Sequence, residues 1–210
     1  MLRVIREIGI WAHARKAARH AANQDGTAAV EFAMLMPVMI TLFFGVVESS
    51  LALICRSDVS LMASTAGDLI SQANVATKAD ISNVYSAAST VLYPYYDPAV
   101  TGSAKPTIRI TSVIDDGSGA VDKDHMTGKV AWSCTQAGSG TLPAAIAVGG
   151  TVTLPQPLMT DKGSIVIAEI AYLYSSPTSK LINTSINFTN NFYAKPRRVA
   201  QIATPTGGCP

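Results

Sequence analysis

The chain has 210 residues, 48% of them apolar and only 14% charged, with a formal net charge of +2. That length has room for one membrane helix and one compact domain, and so slight a net charge excludes the strongly basic surface that nucleic acid attracts. The charge is unevenly spread. Residues 1–26 carry Arg3, Arg6, Arg15, Lys16 and Arg19 against Glu7 and Asp25, a balance of 5 − 2 = +3, and the remainder carries 11 − 12 = −1.

Within that basic segment Leu2, Ile5, Ile8 and Trp11 recur between the cations. The pattern fits an amphipathic helix on an anionic inner leaflet, and equally a flexible basic leader. Next comes a long apolar run from Thr27 to Ile54, in which Glu31 and Glu48 are the only formally charged side chains. About 20 apolar residues span a bilayer as a helix, so this run suffices. Pro37 and Gly45 lie inside it, and membrane helices tolerate both better than soluble ones do. A secretory signal has an apolar core of roughly 7–15 residues and a small-residue cleavage site. Here the run is longer and no clean site follows, so a retained single-pass anchor is expected. A lipoprotein reading of Leu51-Ala52-Leu53-Ile54-Cys55 fails for the same reason. The basic segment stays on the cytoplasmic side, which sends everything after Cys55 across the membrane.

Past the run, Cys55, Val59, Met62, Ala66, Leu69, Ile70 and Ala73 recur at three- and four-residue steps, the stripe of a helix laid on a core. A break follows near Asn74–Thr77. Thr77 and Asp80 have capping-box spacing, and Ile81, Val84, Tyr85, Ala88, Val91 and Leu92 mark a second helix that ends at Tyr93-Pro94. Strand patterns then take over at Thr107–Val113, at Lys129–Cys134 and, most strongly, at Ser164–Tyr174. A weaker extended segment covers Leu181–Tyr193. Asp115-Asp116-Gly117-Ser118-Gly119 reads as a turn, and the Gly-, Ala- and Pro-rich stretch Thr135–Gln156 as a loop. The expected fold is α+β: a long N-terminal transmembrane and amphipathic helix packed on a small antiparallel sheet of about four strands. The expected organisation is a leader at 1–26, a transmembrane helix at 27–54 and an extracytoplasmic domain at 55–210.

Glu31 is the most informative single residue. An acid inside a lipid-facing helix costs a few kcal/mol. At this depth it could simply snorkel to the headgroups. Cleavage after Gly26 would change its meaning, because Thr27 would become a new N-terminus and Glu31 its fifth residue. In a bundle of such helices the carboxylate of one subunit can pair with the terminal ammonium of its neighbour. Such a pair sets register more than it adds stability. Glu48, followed by Ser49 and Ser50, reads as an acid at the outer boundary or as a helix–helix contact beside the small Gly45.

Gly26-Thr27-Ala28-Ala29-Val30-Glu31-Phe32, with Pro37 and the Gly45/Glu48 end of the run, resembles the TadE-like family, minor pseudopilins of the tight-adherence (Flp-type) pilus machinery. The resemblance covers about 25 residues. It implies a pilin-like architecture, cleavage between Gly26 and Thr27 by a prepilin peptidase, and an assembly role for Glu31 and Phe32. Its implied partners are other pilins, pseudopilins and pilus assembly proteins of the inner membrane, with the C-terminal domain in the periplasm. Major Flp pilins carry Glu-Tyr and are very short. The Glu31-Phe32 pair and the large C-terminal domain here favour a minor, tip or priming role.

Three cysteines are present. In an oxidising space, Cys134 at a strand end and Cys209 in the Gly-Gly-Cys-Pro tail are the expected disulfide, in keeping with the C-terminal cysteine of TadE-like domains. Cys55 reads as a buried helix residue. No metal or cofactor is expected: His125 with Asp122 and Asp124 could be imagined as a zinc site but reads as a solvated loop, and Asp115-Asp116-Gly117 lacks EF-hand spacing. No nucleophile elbow or phosphate loop occurs, so the protein is expected not to be an enzyme. Lys195-Pro196-Arg197-Arg198 reads as a solvated basic run. The competing class is a membrane-tethered enzyme or sensor that uses the helix only as an anchor, and a part of a related secretion apparatus is a third option.

Overall fold

The computed structural model describes residues 25–120, 125–155, 158, 163–178 and 181–210. The expected amphipathic leader lies outside the described residues, as do Asp122, Asp124 and the side chain of His125.

Helix α1 runs unbroken from Asp25 to Ser71, a rise of about 70 Å at 1.5 Å per residue. Pro37 is accommodated inside it, and the Thr41 hydroxyl donates to the Pro37 carbonyl at 2.8 Å. The helix belongs to two compact units, with the border between Val47 and Glu48. Up to Phe43 its described side chains are exposed, although most are apolar: Phe32 is 60% accessible and Met34 74%. The amphipathic pattern begins at the unit border. Ala52, Cys55, Val59, Met62, Ala63, Ala66 and Ile70 are all buried, the three- and four-residue steps that put one stripe on a core.

Helix α2 spans Lys78–Thr90 and starts on a capping box. The Thr77 hydroxyl accepts from the Asp80 N–H at 3.1 Å, and the Asp80 carboxylate accepts the Thr77 N–H at 3.0 Å. These bonds satisfy donors that the first helical turn leaves orphaned. Ile81, Val84, Tyr85 and Ala88 form its buried face.

Five antiparallel strands follow: β1 (Thr107–Ala120), β2 (His125–Gln136), β3 (Thr151–Pro155), β4 (Ser164–Tyr174) and β5 (Ile186–Ala194). They are ordered β3-β2-β1-β4-β5 in a curled sheet, so β1 is central and faces both Cys134 and Ala168 across Ile110. One face carries Ile108, Ile110, Trp132, Cys134, Val166, Ala168, Ile170 and Tyr172 against α1 and α2. Val113, Leu154, Ile165 and Ile167 form a smaller cluster. Strand β4 is therefore buried along nearly its whole length, which explains its near-continuous apolar run. Helix α1 comes close to the sheet at Gly67, where a Cβ would lie 2.6 Å from the Phe192 ring.

Two expectations are corrected. The segment expected as a loop from Thr135 to Gln156 contains β3, an edge strand where Pro155 costs no ladder bond on its open side. The expected turn at Asp115–Gly119 lies inside β1. The register breaks between Asp115 and Ala120, and Gly117 takes φ 74°. Its missing side chain allows a bulge there in place of a reversal.

Candidate functional site

The positions expected to matter for processing and assembly stand on the exposed stretch of α1. Gly26, Thr27, Glu31 and Phe32 are all helical and exposed. Thr27 and Glu31 are four residues apart, so they share one face of the helix. No hydrogen bond or ion pair to Glu31 occurs among the described residues.

Glu48 differs in every respect. Its side chain is fully buried and its carboxylate is enclosed by the loop that leads from β4 to β5. Oε2 accepts the Leu181 N–H at 3.1 Å and the Ile182 N–H at 2.6 Å, and Oε1 accepts from the Thr178 hydroxyl. Hydrogen bonds to an ionised acceptor are the stronger kind, and several converging donors offset the desolvation of the charge. Of the two sequence readings of this residue, an acid at the outer boundary or a contact between membrane helices, neither includes an internal clasp. The clasp could not be read from the sequence, because its donors, a hydroxyl and backbone amides, lie some 130 residues away.

The cysteines divide as well. Cys134 and Cys209 form a disulfide, with Cα atoms 5.3 Å apart and a sequence separation of 75. Cys55 is free and buried. The tail that carries Cys209 is held at three further points. The Trp132 indole donates to the Ile202 carbonyl at 3.0 Å, and Ile202 enters the core. Thr206 bridges to Thr77. The Tyr85 hydroxyl donates to the Cys134 carbonyl at 2.7 Å, and burial pushes its phenol above the ordinary pKa.

Two charged pairs not anticipated from the sequence are structural. On β1 and β4, Arg109 and Glu169 sit directly opposite and form a bidentate pair, Nε to Oε2 at 2.6 Å and Nη2 to Oε1 at 2.8 Å. The remaining guanidinium nitrogen donates to the Pro143 carbonyl at 2.7 Å and so ties the 141–150 loop to the sheet. A small cavity of about 170 Å³ adjoins the pair. Arg197, from the run read as solvated, donates its backbone N–H to Ser71 at 2.9 Å and pairs with Asp68, so it closes the C-terminal end of α1. Among the described residues, no group of three or more His, Cys, Asp or Glu is placed to hold a metal ion.

Residues 26–68 match the family described as TadE-like protein. The matched segment is α1 almost to its end, in agreement with the resemblance carried by Gly26–Phe32, and this part of the chain is TadE-like. That family is a pilus-component family of the Tad (Flp) system, so the match suggests pilus-system partners. Helix α1 is also long and apolar enough to cross a membrane, which suggests a single-pass anchor. No curated protein and no solved structure matches the chain.

Proposed function

We propose that the protein is a minor pseudopilin which supports assembly or initiation of a Flp/Tad-type pilus for surface adhesion. The observation that carries this reading is the TadE-like segment at residues 26–68, whose exposed apolar helix holds Glu31 with no hydrogen bond or ion pair among the described residues. A buried core helix would not leave Phe32, Met34, Leu42 and Phe43 more than half accessible. Lipid, or neighbouring helices of the same kind, would cover such a surface.

In this reading the leader is cytoplasmic, the chain crosses the inner membrane once, and the α+β unit is periplasmic. A prepilin peptidase cleaves between Gly26 and Thr27. The new Thr27 ammonium then meets the Glu31 carboxylate of an adjacent pilin or pseudopilin, and two costly charges become one compensated pair. The stapled outer unit caps or docks the assembly, and the protein performs no catalysis.

Mass spectrometry of the mature N-terminus tests the processing step. Thr27 as the first residue is expected, and Met1 counts against it. Glu31→Ala should insert into the membrane yet leave cells without pili. Normal piliation in that variant would refute the assembly role.

A further inference from the structure

The sheet ends in two strands that are unequally protected. An edge strand offers a row of unbonded N–H and C=O groups to any extended chain, and proteins blunt such edges with short length, proline, charge or a bulge. Strand β3 is blunted: it has five residues and ends in Pro155. Strand β5 is not. Its nine residues, Ile186–Ala194, include no charge and no proline, and they pair with β4 without a register shift. Among the described residues, no backbone hydrogen bond reaches β5 from the side away from β4. Alternate residues of this antiparallel edge therefore keep both backbone groups open. The two faces of the strand differ. Phe188 and Phe192 pack on the main core but are only partly buried, whereas Asn187, Thr189 and Asn191 are exposed. Just past the strand, Lys195 and Arg198 are exposed and have no ion pair among the described residues. The backbone around them is fixed. The Arg197 N–H donates to the Ser71 carbonyl at 2.9 Å, and the Ser164 hydroxyl donates to the Ala200 carbonyl at 2.8 Å.

We infer that β5 is a docking edge for an extended segment of a partner protein, which adds antiparallel to the sheet as one more strand. Main-chain hydrogen bonds supply the attachment, and alternate side chains supply the selection. The edge defines the chemistry of the occupant. The segment lacks proline where it meets β5. It carries apolar residues on the side of Phe188 and Phe192, whose cover it completes, and small polar ones on the side of Asn187, Thr189 and Asn191. An acidic residue precedes it, because antiparallel addition brings its N-terminal end beside Lys195 and Arg198. A second copy of this chain fits less well. An antiparallel β5 centred on Asn190 would pair Phe188 with Phe192, but it would bring Asn183-Thr184-Ser185, which has no acid, to the two cations. The inference lies wholly within the 48–210 unit and does not rest on the pilus reading.

Hydrogen exchange tests this on the full chain in detergent, with the Cys134–Cys209 disulfide intact. The probe is a synthetic peptide as long as β5, alternating threonine and valine after two glutamates. At millimolar peptide, alternate amides of Ile186–Ala194 should exchange about tenfold more slowly, while those of Thr151–Leu154 at the other edge stay unchanged. A peptide with proline at alternate positions should protect nothing. One with two lysines in place of the glutamates should need a several-fold higher concentration. Charge reversal by Lys195→Glu with Arg198→Glu should invert that preference and leave the melt as in the parent chain. No protection of β5, or equal protection of β3, overturns the inference. Equal action of the proline peptide also overturns it, because an apolar contact would then suffice without a strand. Equal action of the lysine and glutamate peptides, with no inversion on charge reversal, overturns the acidic flank. Protection of β5 without peptide that fades on dilution overturns the inference in favour of a second copy.

Discussion

Helix α1 shows what one continuous element does in two environments. Before the border at Glu48 its apolar side chains are largely exposed, and Glu31 has no hydrogen bond or ion pair among the described residues. After the border its apolar stripe is buried, and Glu48 is enclosed by its own chain. The two carboxylates share a chemistry and a helix, and only their partners differ. The contrast teaches that an acid in an apolar run carries no fixed meaning. Its role depends on whether donors arrive from the same molecule or must come from another. Substitutions after the border should therefore be read in stability, and substitutions before it in assembly.

The largest stability effect should come from Cys209→Ser. Opening a loop of 75 residues removes about 4 kcal/mol in the chain-entropy picture, or roughly 10 °C of melting temperature for a unit of this size. Thermal unfolding in detergent, followed by near-ultraviolet dichroism, measures it. An unchanged melt would mean that Ile202 and the Thr77–Thr206 bridge hold the tail by themselves, and the staple would be redundant.

Glu48→Ala comes next. Among the described residues, the change strands two amides and a hydroxyl without an acceptor and leaves a void, a loss on the order of 3 kcal/mol. Hydrogen exchange reads it directly: the Leu181 and Ile182 amides should lose protection before the rest of the sheet does. Protection that survives would erase the contrast between the two acids.

What the sequence disclosed follows the range of the interactions involved. Helix α2 was legible because its signals are local: the Thr77/Asp80 box and the Ile81–Val84–Tyr85–Ala88 spacing all fall within a few turns. Strand β4 was legible because burial on both faces makes a continuous apolar run. Strand β3 was not, since Thr151–Pro155 has only five residues between a glycine pair and a proline, and edge strands need little apolar signal. The Asp115–Gly119 cluster misled because turn chemistry and bulge chemistry use the same residues. At the site, the exposed acid announced itself by contrast with its neighbours, whereas the clasp on Glu48 and the Arg109–Glu169 pair depend on which distant segments meet.

Smaller effects sharpen the same division. Tyr85→Phe removes one buried hydrogen bond to Cys134 and should cost about 1.5 kcal/mol with no change in piliation. Thr77→Ala removes the cap of α2 and should cost about 1 kcal/mol. The cap also carries a pH signature. Its hydrogen bonds, the Thr77 hydroxyl first and the Thr77 N–H second, lower the Asp80 pKa below the ordinary carboxylate value. A folded-state pKa below the unfolded one makes the contribution fully present above about pH 4 and lost as pH falls through the folded value. Melts of the parent chain should therefore weaken on acidification below pH 4 by more than those of Thr77→Ala. Parallel curves would show that the carboxylate does not use the cap.

The smallest expected shift belongs to Glu31→Ala, and it discriminates most sharply. With no partner for Glu31 among the described residues, the melt of the 48–210 unit should coincide with that of the parent chain, and insertion should be no weaker because a charge has left the apolar stretch. A residue with no stability role that still abolishes piliation must act on another molecule. A destabilised 48–210 unit in this variant would mean that Glu31 supports its own fold after all. The division at Glu48 would then mark a change in packing and not a change in purpose.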